Sequence, residues 1–377
     1  LSNTKSYRNF HPSVKHIYLN KKISKNKGRI FQFLLSLLPI FIVKKIFKNF
    51  SIEFEKIIKK NKLSNQNIIS FEYIDNSMAY FIKKQNIINN YISDTHGIAS
   101  LEFLYKKNKN LLEKLKNIFK YKITLKLDNK VITEAKKKIF VSKLMKSYFE
   151  SRYPSIKKNN NIIVRDGISD DLCKKKIKIN LVKKLKKQFE IQNSDFVVLF
   201  AGSFKDMGGI IDLLKAFYIL VNNKNNRNIK LLLIGDGERF KDAQIFVKKF
   251  FLKKKVIFSG RVNYSELKNY QELANLIVCP DIKHPYSELV PHIKYFDSLA
   301  SGKVVINGAF ASIKEINVNE KFSINFIPSN VKDLANKMKN AMNKIEFYKK
   351  KYRNNKKIIC SQFTYNKFSK ELLDIKL

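Results

Sequence analysis

Apolar residues in the second half of the chain fall in short continuous runs, separated by longer stretches at helical spacing. "FVVLFAG" (Phe196–Gly202), "IKLLLIGDG", "KVIFSG", "NLIVCP" and "KVVIN" (Lys303–Asn307) read as strands. "IIDLLKAFYILVNN", a segment from Glu238, "SELKNYQELA" and "HIKYFDSLA" read as the helices between them. A strand with no polar alternation is covered on both faces, so strand–helix repetition of this kind predicts a parallel sheet between helical layers. The first half repeats the grammar more loosely. "NIISFEYI" (Asn67–Ile74), "NIINNYIS" (Asn86–Ser93), "KIFVS" (Lys138–Ser142) and "NIIVRD" (Asn161–Asp166) are its strands. A helix follows Ser142, which suits an N-cap.

The expected fold class is therefore α/β, with two Rossmann-like domains facing across a cleft. The expected boundaries are 1–171 for the first domain, 172–194 for a basic connector and 195–345 for the second domain. Residues 346–377 form a helical tail that packs back on the first domain in this reading.

Charge changes the picture. The chain of 377 residues carries 75 Lys and Arg against 31 Asp and Glu, a formal charge of +44. Such a surface attracts anionic partners, among them nucleotide diphosphates and the face of an acidic membrane. The cations are spread along the chain rather than gathered, and Lys, Asn and Ile recur throughout, as AT-rich coding would produce. With no RNA-binding aromatic signature or helix-turn-helix pattern, specific nucleic-acid binding is not expected. The run "FQFLLSLLPIFIV" (Phe31–Val43) is too short to span a bilayer and is interrupted by Pro39. It reads as a buried helix or as an amphipathic element lying on lipid, with a transmembrane helix as the third and least favoured reading. The three cysteines, Cys173, Cys279 and Cys360, are far apart. Their odd number and wide spacing point to reduced thiols and a cytoplasmic setting.

Ligands in doubly wound sheets bind where the carboxyl ends of strands turn into helices. Three turns of the second half have that position: "FAGSFKDMGG", with Gly202, Ser203, Lys205, Gly208 and Gly209; "IGDGERF", with Gly235 and Gly237; and "FSGRVNYSEL", with Arg261 and Val262. Glycines let backbone approach a ligand, and helix N-termini offer N–H groups to an anion. Together with "HPYSELVPHIKYFDSLASGKVVI" (His284–Ile306) they predict a nucleotide cleft.

In order and spacing, "FAGSF…GGIIDLLKAF", "LLLIGDGERF", "VIFSGRVNYSELKNYQELANLIVCP" and "HIKYFDSLASGKVVI" resemble the family 4 glycosyltransferases of the GT-B fold. "YISDTHG", "IFVSKLMKSYF" and "NIIVRDGIS" extend the resemblance into the first half; it fades before about Lys62, as an N-terminally truncated sequence would show. The resemblance implies donor-binding roles for the three turns, with Asp297 on the ribose hydroxyls and Glu288 on the transferred sugar. Eight residues separate these two acids where the family has seven, and the family's later acid is Glu. A subgroup lacking the earlier acid resembles "VPHIKYFD" and brings Lys294 toward the phosphates. Where the family carries an Arg and a Lys for the diphosphate, this chain has Ser203 and Gly208, with Lys205 and Arg261 as substitutes.

His96, in "SDTHGIAS", matches the histidine beside the family's reacting centre. No metal site and no cofactor are expected, only a UDP- or GDP-sugar substrate. The implied function is a retaining glycosyltransferase acting on a glycan or lipid-linked acceptor in cell-surface polysaccharide synthesis, cytoplasmic and peripheral on the membrane. The alternative is a catalytically weakened paralogue that binds nucleotide or glycan without transfer.

Overall fold

A computed structural model describes residues 25–62, 68–104, 110–159, 161–165, 167–222 and 228–373. The start of the chain, on which the expectation of truncation turns, lies outside these residues, as do Asn67, Asp166 and residues 374–377. Among the described residues, contacts divide the chain into two compact units, one within residues 25–140 and 146–163, the other within 141–145 and 164–373.

The first unit holds a parallel sheet in the order β1-β2-β3-β4: β1 Ile68–Phe71, β2 Tyr91–Thr95, β3 Lys137–Phe140 and β4 Ile162–Ile163. The predicted strands are all present but shorter, and β2 starts five residues later than expected because residues 86–90 form turns. The apolar run at Phe31–Val43 becomes two helices, Lys25–Leu37 and Ile40–Ile46, broken at Pro39. Proline has no N–H to donate and restricts the residue before it, so it opens the second helix rather than continuing the first. Phe31, Leu35 and Val43 are buried with Phe81 and Leu127. Ile30, Phe33 and Leu37 stay exposed on the opposite face. The buried-helix reading is met by one face of the run, while the other face stays exposed.

The second unit contains β5 Phe196–Ala201, β6 Ile229–Ile234, β7 Val256–Gly260, β8 Leu276–Cys279, β9 Val304–Gly308 and β10 Ile324–Phe326. They pair in parallel in the order β10-β9-β8-β5-β6-β7. Val198 and Phe200 face one apolar cluster while Val197 and Leu199 face the other, which explains why β5 reads as an unbroken apolar run. The chain reverses its direction of winding between β5 and β8, the position at which a crevice opens in such sheets.

The segment expected as a connector packs on this second unit: Leu172, Leu185 and Ile191 are buried in its core. The helical tail does the same, with Ile359 buried there and the Phe363 ring stacked 5.4 Å from that of Phe296. Ile168 and Phe363 share a backbone hydrogen bond of 2.9 Å, and a disulfide joins Cys173 to Cys360. The expectation of three reduced cysteines is corrected here. Residues 187 positions apart meet because connector and tail lie side by side, a closure that spacing along the chain does not report. Cys279 is free and buried.

Candidate donor-binding site

At the β5/β8 reversal the second unit encloses a cavity of about 360 Å³. Its floor is the carboxyl ends of β5 and β6, through Ala201, Gly202, Ser203, Ile234, Gly235 and Asp236. One wall comes from the turn after β7, through Arg261, Val262, Tyr264 and Leu267. The helix Ile293–Ala300 forms an adjoining wall, through Lys294 and Asp297.

The turns fit together because two of them lack side chains where backbones cross. At Gly235 (φ +130°) a Cβ would lie 1.9 Å from the Gly202 carbonyl oxygen. At Gly209 (φ +67°) it would lie 1.8 Å from that of Pro280. Both positions exclude any other residue without a shift of the backbone. Gly209 precedes the helix Ile210–Asn222 and locks its start against the loop after β8.

Asp297 is buried at 7% exposure, and its Oδ1 accepts a hydrogen bond of 2.6 Å from the Tyr264 hydroxyl. Burial pushes its carboxyl up to about 6, against the opposing pull of that hydrogen bond. Burial and the neighbouring carboxylate raise the Tyr264 phenol well above its ordinary value, so it stays a donor. The Lys294 ammonium is 2.6 Å from the buried Asp281 Oδ1 and lies 5.3 Å from the centre of the Phe200 ring. His292, beside the same carboxylate at 3.8 Å, is pushed toward the neutral form chiefly by burial. The Arg261 guanidinium is exposed and lies 3.5 Å from Asp236 Oδ2.

Of the residues singled out in the sequence, Gly202, Ser203, Gly235, Arg261, Val262, Lys294 and Asp297 line this cavity. Gly209 and Gly237 stand behind it as turn glycines, and Lys205 is exposed beside it, near His292. Glu288 is placed elsewhere: its Oε2 accepts the Ala311 backbone N–H at 2.8 Å and so caps the short helix Ala311–Lys314. Val290–His292 separate its own helix, Pro285–Leu289, from the one carrying Asp297. His96 belongs to the first unit, at the carboxyl end of β2, where its Nε2 is 3.0 Å from Asp94 Oδ1. Sequence reading passed over Tyr264 and Asp236. Both stand inside turns already noted for other residues, and an aromatic in "GRVNYSEL" was the available signal for Tyr264. Among the described residues no three His, Cys, Asp or Glu side chains converge as a metal-ligating group.

Solved structures share this architecture over most of the chain. The sucrose-phosphate synthase from Thermosynechococcus elongatus aligns with a TM-score of 0.68 at 15% identity, covering 90% of this chain and 79% of that one. A glycosyltransferase from Rickettsia africae aligns with a TM-score of 0.67 at 16% identity, covering 94% and 95%. Anabaena HepE in complex with UDP-glucose aligns with a TM-score of 0.63 at 15% identity, covering 85% and 81%. No curated protein sequence matches the chain. The fold is that of GT-B glycosyltransferases, and residues 182–358, which include every residue lining the cavity, match the family model "Glycosyl transferases group 1".

Proposed function

We propose that the protein transfers a sugar, with retention at the anomeric carbon, from a nucleotide diphosphate sugar to a glycan or lipid-linked acceptor of cell-surface polysaccharide. The observation that carries this reading is the cavity itself. It brings a buried carboxylate, Asp297, together with two cations, Lys294 and Arg261, at the reversal point of a doubly wound sheet. A carboxylate accepts from ribose hydroxyls, and cations with free backbone N–H groups offset a diphosphate. UDP-sugar is the favoured donor, since similarity extends to a protein solved with UDP-glucose. Charge on the leaving diphosphate falls to these cations in this reading, without a metal. The diphosphate then takes the proton of the acceptor hydroxyl on the same face.

The second reading, a binding protein with weak or no transfer, is favoured by Glu288. Its carboxylate is engaged with the Ala311 N–H, while Ser203 and Gly208 stand where basic residues were expected. Isothermal titration with UDP and GDP, alongside hydrolysis of UDP-glucose and GDP-mannose in EDTA, separates the two. Binding with slow EDTA-resistant hydrolysis, both lost in Asp297→Ala, supports transfer. Binding without turnover supports the second reading, and no binding sinks both.

Work at an acidic membrane face is part of the proposal. Ile30, Phe33 and Leu37, spaced i, i+3, i+7, expose one apolar helix face. The Phe33 ring meets Phe119 at 6.2 Å, which joins that face to exposed Leu115 and Phe119 on the helix Leu111–Glu134. Lys114, Lys116, Lys122 and Lys126 are exposed on the same helix. Among the described residues no helix is long and apolar enough to cross a membrane.

A further inference from the structure

We propose that Tyr264 is a nucleoside-positioning residue, and that Asp297 acts on a bound ribose largely through it. The inference rests on the donor-pocket reading above and adds a residue to it.

Asp297 is almost wholly enclosed at 7% exposure, whereas Tyr264 is 46% exposed, and both line the cavity. The hydrogen bond of 2.6 Å between them occupies Oδ1, so the phenol oxygen is the outer polar atom of that corner. Aspartate is one methylene shorter than the glutamate expected here, so its carboxylate ends roughly 1.5 Å deeper from the same backbone position. The phenol spans that gap. It donates to Asp297, and its oxygen retains acceptor capacity for a ribose hydroxyl. The Ser169 backbone N–H also reaches the Tyr264 oxygen, which leaves that oxygen one lone pair for a ribose hydroxyl. Val262 and Leu267, on the same wall, are apolar, so they limit the ring's alternatives without competing for the hydroxyl.

A sugar edge arriving at this corner therefore meets a relay, ribose O–H to Tyr264 oxygen and Tyr264 O–H to Asp297. The free Oδ2 remains for a second hydroxyl. A phenol that only walled the pocket would contact the nucleoside without reading its hydroxyls.

The test is titration of UDP and 2′,3′-dideoxy-UDP, and the guanosine pair, into wild type, Tyr264→Phe, Asp297→Glu and the double variant. Thermal melts check that each is folded. Tyr264→Phe is expected to weaken the ribonucleotide about three- to tenfold, the loss of one hydrogen bond to a neutral phenol, and to leave the dideoxy form nearly unchanged. Adding Asp297→Glu to Tyr264→Phe restores preference for the ribose, because the longer acid reaches it directly. Equal losses for ribo and dideoxy forms, unchanged ribonucleotide affinity in Tyr264→Phe, or no recovery in the folded double variant would each overturn the relay. Wild type that binds neither diphosphate overturns the donor-pocket reading itself, and the relay with it.

Discussion

Lys294 and Asp281 form an ion pair of 2.6 Å in which the carboxylate is buried and the ammonium reaches the donor cavity. The pair places a cation where a diphosphate is expected, with Asp281 as its present counter-ion. Removing the ammonium leaves a buried charge with only neutral-leaning His292 nearby. Lys294→Met is thus expected to destabilise the fold by about 3 kcal/mol or more and to weaken UDP about tenfold or more. Uridine affinity should not move. Asp281→Asn frees the ammonium and is expected to keep or tighten UDP binding. Calorimetry with UDP and uridine on both variants checks this. A Lys294→Met protein that loses uridine and UDP alike would show that the lysine supports the pocket wall, not the phosphates.

Asp297 opposes folding at neutral pH. Its folded carboxyl titrates at about 6 against an ordinary value of 3.8, so the native state holds the extra proton between these values. Stability then falls as pH rises through that window, by up to about 3 kcal/mol if uncompensated. Asp297→Asn should accordingly melt higher than wild type at pH 7, and the advantage should vanish below about pH 4. The same variant should bind UDP more weakly, since the amide cannot replace an anionic acceptor. Wild-type UDP affinity is expected to drop on acidification through pH 6 more steeply than that of Asp297→Asn. The groups facing this carboxylate are Tyr264, hydrogen-bonded to it, and Cys279 on β8, and burial holds both protonated in this range. Melting curves that stay parallel from pH 4 to 8 would remove the claim.

These two predictions come from residues that sequence pattern could reach, and the reason is local. β5 and β6 each present six residues enclosed by helices on both sides, so their runs and the turns that follow were legible, whereas the strand order was not read from the sequence. Lys294 and Asp297 share one helix, where spacing fixes the face. Glu288 does not share it. Val290–His292 are extended, so a count of residues from Asp297 does not set the direction of its carboxylate. Tyr264 was hidden for another reason. Its partner is 33 residues away, and only the closed turn brings hydroxyl to carboxylate. The connector and tail were misassigned because an amphipathic basic helix shows which face is apolar, not which core receives it.

The Cys173–Cys360 disulfide closes a loop of 187 residues that contains the whole donor cavity. Cross-linking so long a loop is expected to stabilise by about 3–5 kcal/mol, chiefly by restricting the unfolded chain. Protein kept from reductant should show one titratable thiol in denaturant, Cys279, and three after reduction. Cys360→Ser, or reduction, is expected to lower the melting temperature by several degrees while UDP binding below the transition persists. Three thiols before reduction would mean that the cysteines stay apart.

The apolar face shared by Phe33 and Phe119 gives the membrane proposal a result that charge alone cannot produce. A surface of +44 binds anionic vesicles through any lysine-rich region, and added salt releases it. Insertion of Ile30, Phe33, Leu37, Leu115 and Phe119 would add burial of side chains that are 38–56% exposed, a contribution salt does not weaken. Sedimentation with phosphatidylglycerol vesicles is therefore expected to be partly retained at 0.5 M NaCl, and absent with phosphatidylcholine alone. Phe33→Glu with Phe119→Glu should abolish the salt-resistant fraction and spare UDP affinity, since both residues lie in the first unit and the donor cavity in the second. Release of wild type by salt to the level of the double variant would reduce the attraction to unspecific charge. The helices Lys25–Leu37 and Leu111–Glu134 would then owe their exposed phenyl rings to some other contact.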